Sequence, residues 1–223
     1  MIDVLVFDLD DTLFPEVEFV ESGFRAADAW LEIRHSKSGL FDAAWRLFQR
    51  GARGRIFDLA LGEMGVANTE GMIAALVSVY RAHVPVIALY PDARWAIDHY
   101  QGQKKMGMIT DGYLVAQRNK VEALGIKTAF DAIVYSDQFG RENWKPSEFP
   151  YRKIMELIRC GGPECVYIAD NPAKDFIAPK TLGWSTIQIC RPDGQHAKNA
   201  PKGGCEADYK IADLRELQSV GVI

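Results

Sequence analysis

Asp8 and Asp10 stand two residues apart just after an apolar run, Val4 to Phe7, and Asp11 and Thr12 follow directly. On an extended chain that spacing sends both side chains to one side. Other apolar runs end the same way. Met106 to Ile109 leads into Thr110-Asp111-Gly112, and Cys165 to Ala169 leads into Asp170-Asn171-Pro172-Ala173-Lys174-Asp175. Lys145, before Pro146, follows the run Ala132 to Tyr135. Carboxylates that converge without a cation repel and shift one another's pKa values, a cost that a bound divalent ion removes. All-oxygen ligands favour Mg²⁺, which keeps several waters and takes only a few carboxylates from a protein. The expected cofactor is Mg²⁺.

Each of these residues also has a bland reading when taken singly. An Asp after a strand most often caps a helix or makes a turn, and Asn171 before Pro172 has the form of an N-cap with Pro at the first helical position. Thr110-Asp111-Gly112 alone is a turn signal, and Lys145 alone a surface lysine. The Asp8 to Asp11 run lacks the sixth-position glycine and later Glu of a calcium-binding EF-hand loop. What favours a shared centre is the recurrence, because chemistry in an open parallel sheet gathers beyond the carboxyl ends of the strands.

The elements that must position these residues are legible as a pattern. Val4 to Phe7, Met106 to Ile109, Ala132 to Tyr135, Cys165 to Ala169 and Thr186 to Cys190 read as buried parallel strands. Between them lie helical patterns over Ala93 to Tyr100, Leu114 to Leu124, Pro150 to Cys160 and Ala173 to Leu182, the last three stopped by glycines. Alternation of this kind predicts an α/β fold with a doubly wound parallel sheet. After the first strand roughly 70 residues pass with no convincing strand, too long for an ordinary loop. Phe19 to Ile33, Phe41 to Phe48, Ile56 to Met64 and Met72 to Ala82 carry apolar residues near helical spacing, so a helical bundle is expected there. The predicted division is a catalytic core at 1–14 and 86–223 and an inserted α-helical cap at 15–85. Arg191 to Cys205, rich in Pro, Gly, Asn and Lys, reads as an exposed loop.

Composition limits the partners. The 223 residues carry 26 Lys and Arg against 30 Asp and Glu, a formal charge of −4. With no broad basic surface, a nucleic-acid polymer or an anionic membrane is not the expected partner. The four cysteines, Cys160, Cys165, Cys190 and Cys205, show no C-x-x-C pairing and read as reduced, mostly buried thiols. The first residues show neither a signal peptide nor a membrane span, so cytoplasm is the expected compartment. Oligomeric state is left open.

The sequence resembles the haloacid dehalogenase superfamily of phosphotransferases along nearly its whole length. Phe7 to Leu13, FDLDDTL, looks like the family's D-x-D-x-T first motif. Thr110 looks like the second-motif hydroxyl residue, Lys145 like the third-motif lysine, and Asp170 with Asp175 like the fourth-motif acidic pair. The resemblance implies a Rossmann-like core with a helical C1 cap between motifs one and two. It further implies that Asp8 is the nucleophile and Asp10 the general acid and base. Mg²⁺ would be held by the Asp8 carboxylate, the Asp10 main-chain carbonyl and Asp170, with Asp175 near the metal or orienting its waters. Thr110 and Lys145 would hold the phosphate oxygens, together with the Asp111-Gly112 turn. Ala169 departs from the glycine that many relatives carry before the fourth-motif Asp.

The activity so implied is Mg²⁺-dependent hydrolysis of a small phosphorylated metabolite through an aspartyl-phosphate. Sugar phosphates, phosphoglycolate-like acids and nucleoside monophosphates are the candidate substrates. An acid at position 10 favours phosphorus over carbon chemistry within this superfamily. The alternatives are a phosphomutase and a catalytically silent sensor of a phosphorylated ligand. On the cap, Arg25, Arg53 and Arg55 read as exposed helix-end cations, and Trp30 and Trp45 as cap core. The four histidines form no constellation.

Overall fold

A computed structural model describes residues 2–69, 71–197, 199–201 and 206–221. The chain runs β1 (Val4–Phe7), α1 (Glu16–His35), α2 (Leu40–Gln49), α3 (Ile56–Glu63), α4 (Met72–Ala82), α5 (Pro91–Tyr100), β2 (Lys105–Thr110), α6 (Leu114–Leu124), β3 (Ala132–Tyr135), α7 (Phe149–Ile158), β4 (Cys165–Ala169), α8 (Ile177–Thr181), β5 (Ser185–Ile189) and β6 (Tyr209–Ile211). It divides into two compact units, Met1–Glu16 with Ala88–Ile223, and Val17–Ile87. Each boundary falls two residues later than the sequence reading put it.

The larger unit is built on a six-stranded sheet in the order β3-β2-β1-β4-β5-β6, with every neighbouring pair parallel. β1 and β4 are buried at every residue, which is why they read as unbroken apolar runs and not as alternation. The chain leaves β1 toward β2 on one side and β4 on the other, and this change of direction opens a crevice at their carboxyl ends. Register aligns the functional loops there: Phe7 lies beside both Met108 and Ile168, so Asp8, Thr110 and Asp170 emerge at nearly one level. Tyr151, Ile154 and Ile158 of α7 pack with Val4, Val6, Tyr167 and Trp184 in the core beneath.

The smaller unit has a core of its own. Phe24, Leu31, Leu40, Ala44, Leu61 and Leu76 are buried in it, and Phe24 meets Phe57 and Tyr80 with ring centroids 5.8 and 5.6 Å apart. Trp30 and Trp45 pack against its edge. No helix among the described residues is long and apolar enough to cross a membrane.

Three readings are corrected. The helix expected over Ala173 to Leu182 is confined to Ile177–Thr181. Residues 171–175 form a turn instead, because Asn171 Oδ1 accepts the Ala173 amide (3.1 Å) and Asp175 Oδ2 the Asn171 amide (3.0 Å). Asn171 therefore caps a turn, not a helix. β6 escaped the sequence reading because three residues, Tyr-Lys-Ile, carry no apolar run, and their pairing is supplied by β5. The segment after β5 is, over its described residues, the largely exposed loop expected, but it starts from a buried Arg191 and is tied down by its own bonds; Cys205, at its far end, lies outside the described residues.

Candidate active site

Asp8 leaves the end of β1 with its amide bonded to Ile168 O of β4 (2.9 Å). Its carboxylate lies 2.8 Å from Lys145 Nζ, which is also 2.9 Å from Asp175 Oδ1 and donates to Tyr167 Oη (3.0 Å). The lysine is placed by its own backbone, whose amide points at both Asp111 carboxylate oxygens (3.3 and 3.2 Å). Asp175 is placed from behind, its carbonyl accepting the Tyr151 hydroxyl (3.0 Å). Lys145 is sealed from solvent, so its charge persists only because two carboxylates share it. Burial works against that charge, and Asp175 and Asp8 more than reverse the effect, raising its pKa well above the ordinary value.

The acids are less well balanced. Burial pushes the Asp8 carboxyl up to about 6; Lys145 opposes the rise and Asp175 adds to it. Asp170 is pushed well above the ordinary carboxylate range by burial and then by Asp175 and Asp8. Asp8, Asp170 and Asp175 each offer a carboxylate oxygen, and these atoms all lie within 4.8 Å of one another. Asp170 Oδ2 is buried and finds no hydrogen-bond partner among the described residues. A hard, all-oxygen donor set with surplus negative charge and an orphaned oxygen fits a divalent cation such as Mg²⁺.

Asp10 is held on both oxygens by one helix. Lys120 Nζ lies 2.6 Å from Oδ1 and Gln117 Nε2 donates to Oδ2 (2.9 Å). Gln117 and Lys120 are three apart on α6 and so share a face. Gln117 Nε2 also donates to Thr110 Oγ1, linking the loops after β1 and β2. Lys120 is only 3% exposed. Sequence reasoning passed over both residues, although a Gln and a Lys beside Ala116, Val121 and Leu124 on the buried face of α6 are unusual enough to be a signal. Gly112 is required close by: its φ is +126° and a Cβ there would stand 3.1 Å from the Gln117 side chain.

A cleft of about 230 Å³ opens above these groups within the larger unit. Of the expected residues, Asp8, Asp10, Asp111, Gly112 and Asp170 line it, while Thr110, Lys145 and Asp175 stand behind its wall. It is also lined by Glu16, Trp144, Lys174 and His196, none of which the sequence reading placed there. Burial, followed by Asp10, pushes the Glu16 carboxyl up to about 7, with Lys120 opposing. Lys174 Nζ pairs with Asp111 Oδ2 (3.1 Å). Burial would raise Asp111, but Lys145 and Lys174 outweigh it and hold the carboxyl below its ordinary value.

His196 reaches the cleft on the segment that was read as an exposed loop. Arg191 pairs with Asp92 (2.8 Å) and donates to Thr12 O (2.9 Å). The Gln195 amide donates to Asp11 Oδ2 (2.6 Å), and Asn199 Nδ2 to Asn171 Oδ1 (3.3 Å). Asp11, in the left-handed region at φ +50°, also accepts the Glu16 amide (2.8 Å). The loops after β1 and β4 are thus tied to one strap. On the smaller unit, Arg25 and Arg55 pair with Glu21 (2.7 Å) and Asp58 (3.1 Å), and Arg53 donates to the carbonyls of Phe48 and Ala52.

Known proteins match both sequence and fold. A glyceraldehyde 3-phosphate phosphatase of Methanocaldococcus jannaschii is 28% identical over 233 residues, covering 99% of this chain and 97% of that protein. A ribulose-1,5-bisphosphate 5-phosphatase of Halopiger xanaduensis is 25% identical, covering 97% and 98%. The crystal structure of L-2-haloacid dehalogenase from Xanthobacter autotrophicus shares the fold with a TM-score of 0.64 at 20% identity, over 98% of each chain. The description haloacid dehalogenase-like hydrolase matches residues 2–183, from ahead of β1 to just past α8. That match takes in well over half of the chain, which therefore belongs to the haloacid dehalogenase-like hydrolase family.

Proposed function

We propose that this protein is a Mg²⁺-dependent phosphomonoesterase that hydrolyses a small sugar phosphate through an aspartyl-phosphate on Asp8. The observation that carries the reading is the pairing of Asp8 with the sealed Lys145 beside the Asp170 and Asp175 carboxylates. An anionic nucleophile would repel a phosphate dianion; a lysine 2.8 Å away and a divalent ion offset that repulsion. Two full-length relatives named as phosphatases of phosphorylated sugars support the substrate class.

In this mechanism the Asp8 carboxylate attacks phosphorus while the ester bond to the leaving oxygen breaks. Asp10 gives a proton to the departing alkoxide, then takes one from the water that hydrolyses the aspartyl-phosphate. Gln117 and Lys120 fix the Asp10 carboxyl beside the cleft, so that its orientation is set before substrate arrives. Lys145 holds Asp8 in line and, with Lys174, supplies the positive side of the site, while the Asp111-Gly112 turn lines the cleft where the phosphate oxygens would lie. Mg²⁺, held by Asp8, Asp170 and the Asp10 carbonyl with Asp175 close by, would supply charge neutralisation at the transferring phosphoryl group. The unit Val17–Ile87, inserted between the Asp8 and Thr110 loops, serves as the cap that selects the leaving group.

The test is phosphate release across a panel containing glyceraldehyde 3-phosphate, other sugar phosphates, phosphoglycolate and nucleoside monophosphates. Activity on the sugar phosphates that is lost with EDTA and in Asp8→Asn is expected. Release that survives Asp8→Asn, or an isomerised sugar phosphate with no free phosphate, overturns the reading.

A further inference from the structure

Cys160 follows α7 and Cys165 opens β4, and the turn between them brings their sulfurs to 3.3 Å. A Cys-x₄-Cys spacing carries no redox signature in sequence, which is why the pair is visible only in the fold. The turn has bonds of its own besides those of the sulfurs. Gly161 N donates to Glu164 Oε2 (2.6 Å), and Glu164 N returns a bond to Gly161 O (3.2 Å). Gly162 is wedged so tightly that a Cβ would stand 2.0 Å from Leu182 O. The two thiols are therefore held together by a turn whose Gly161–Glu164 bonds involve neither of them.

Their surroundings differ. Cys165 is buried, and its thiol donates to Gly161 O (3.3 Å). Burial and the contact with Cys160 push that thiol well above its ordinary pKa. Cys160 is half-buried between exposed Arg159 and Gly161, so an oxidant meets it first, with the second sulfur waiting behind.

We propose that Cys160 and Cys165 are a thiol–disulfide modification site, closed to an intramolecular disulfide by peroxides or by small-molecule disulfides. With hydrogen peroxide, the Cys160 sulfur attacks one oxygen, the O–O bond breaks, and Cys160 becomes a sulfenic acid as water forms. Cys165 then attacks the Cys160 sulfur; the S–O bond breaks, the S–S bond forms, and hydroxide leaves with the Cys165 proton as a second water. Two thiols lose two electrons and two protons, and one peroxide becomes two waters. A small-molecule disulfide acts by exchange: Cys160 attacks one of its sulfurs, its S–S bond breaks and one small thiol leaves; Cys165 then attacks the Cys160 sulfur of the mixed disulfide and displaces the second small thiol. The site lies at the amino end of β4, opposite the end that carries Asp170, so the crosslink leaves the acids in place and phosphatase turnover unchanged.

Trypsin cleaves after Arg159 and Lys174, so both cysteines fall on one peptide, Cys160 to Lys174. The full chain, first reduced, is treated with hydrogen peroxide or oxidised glutathione, then unfolded, alkylated and digested. The expected product is that peptide unalkylated and about 2 Da lighter than the dithiol form, restored by dithiothreitol and absent from Cys160→Ser. Exposed Cys190 reports that the oxidant acted. The proposal is overturned if Cys160 and Cys165 both remain alkylatable once Cys190 has reacted. A stable glutathione adduct or sulfinic acid at Cys160, or a crosslink to Cys190 or Cys205, overturns it equally.

Discussion

Replacing Asp8 with Asn should abolish turnover and, in metal-free protein, raise stability at neutral pH. Asp8 is 5% exposed, and burial carries its carboxyl from 3.8 to about 6 despite Lys145. At about 1.4 kcal/mol for each pH unit, keeping Asp8 ionised costs the folded state roughly 3 kcal/mol at pH 7. The folded pKa is the higher one, so the native state holds the extra proton. The stability linked to it is complete below the unfolded value of 3.8 and is lost as pH rises through about 6. Asn has no charge to bury, and the Lys145 attraction it forfeits is already inside that figure, so roughly 3 kcal/mol is the upper bound of the gain, reduced by any imperfect packing of the amide against Lys145, which keeps Asp175 2.9 Å away. A net gain of about 1–2 kcal/mol at pH 8 is expected, equivalent to a Tm higher by roughly 2–8 °C. Urea denaturation of both proteins in EDTA at pH 4.5 and pH 8 measures it. The advantage of Asn should shrink toward zero at the lower pH. Added Mg²⁺ should stabilise the wild type more than the variant. An Asn variant less stable than wild type at pH 8 in EDTA would show that the Lys145 attraction outweighs burial, refuting the account of the site as a cluster strained by excess negative charge.

Lys120→Met should lower kcat by about 10- to 100-fold with a smaller change in KM, because Asp10 loses one of the two groups that orient it. Lys120→Arg should recover part of the loss, and steady-state kinetics showing kcat intact in the Met variant would exclude the positioning role. His196→Ala should raise KM while sparing kcat, since the imidazole lines the cleft; an unchanged KM across the sugar-phosphate panel would count against it. Gly162→Ala must move either backbone or α8, as its Cβ would meet Leu182 O at 2.0 Å. A loss of about 2 kcal/mol or more is expected, and an unshifted thermal melt would contradict the packing described.

Five of the six strands and most of the helices were legible because their physics is local. β1 and β4 are buried on both faces and therefore read as bare apolar runs; α6 stops at Gly125 because a left-handed C-cap favours glycine. The acids Asp8, Asp10, Asp111 and Asp170 were equally visible, since polar residues at strand ends stand out against apolar runs, and the larger unit brings them to one cleft. What sequence could not convey was which group touches which. The pairing of Lys120 with Asp10 spans 110 positions, and the bond from Arg191 to Thr12 spans 179. No periodicity encodes contacts at such separations; they exist only once the parallel sheet has laid β1 between β2 and β4 and returned the strap after β5 across the same edge. Cys160 and Cys165 are only five positions apart, yet their closeness too is invisible in sequence, since it depends on a tight turn packed against the end of α8. Chain chemistry thus determined the fold class and the acids that could bind a cation. Tertiary structure alone decided the charge balance around each acid, because that balance follows from burial and from partners contributed by distant parts of the chain.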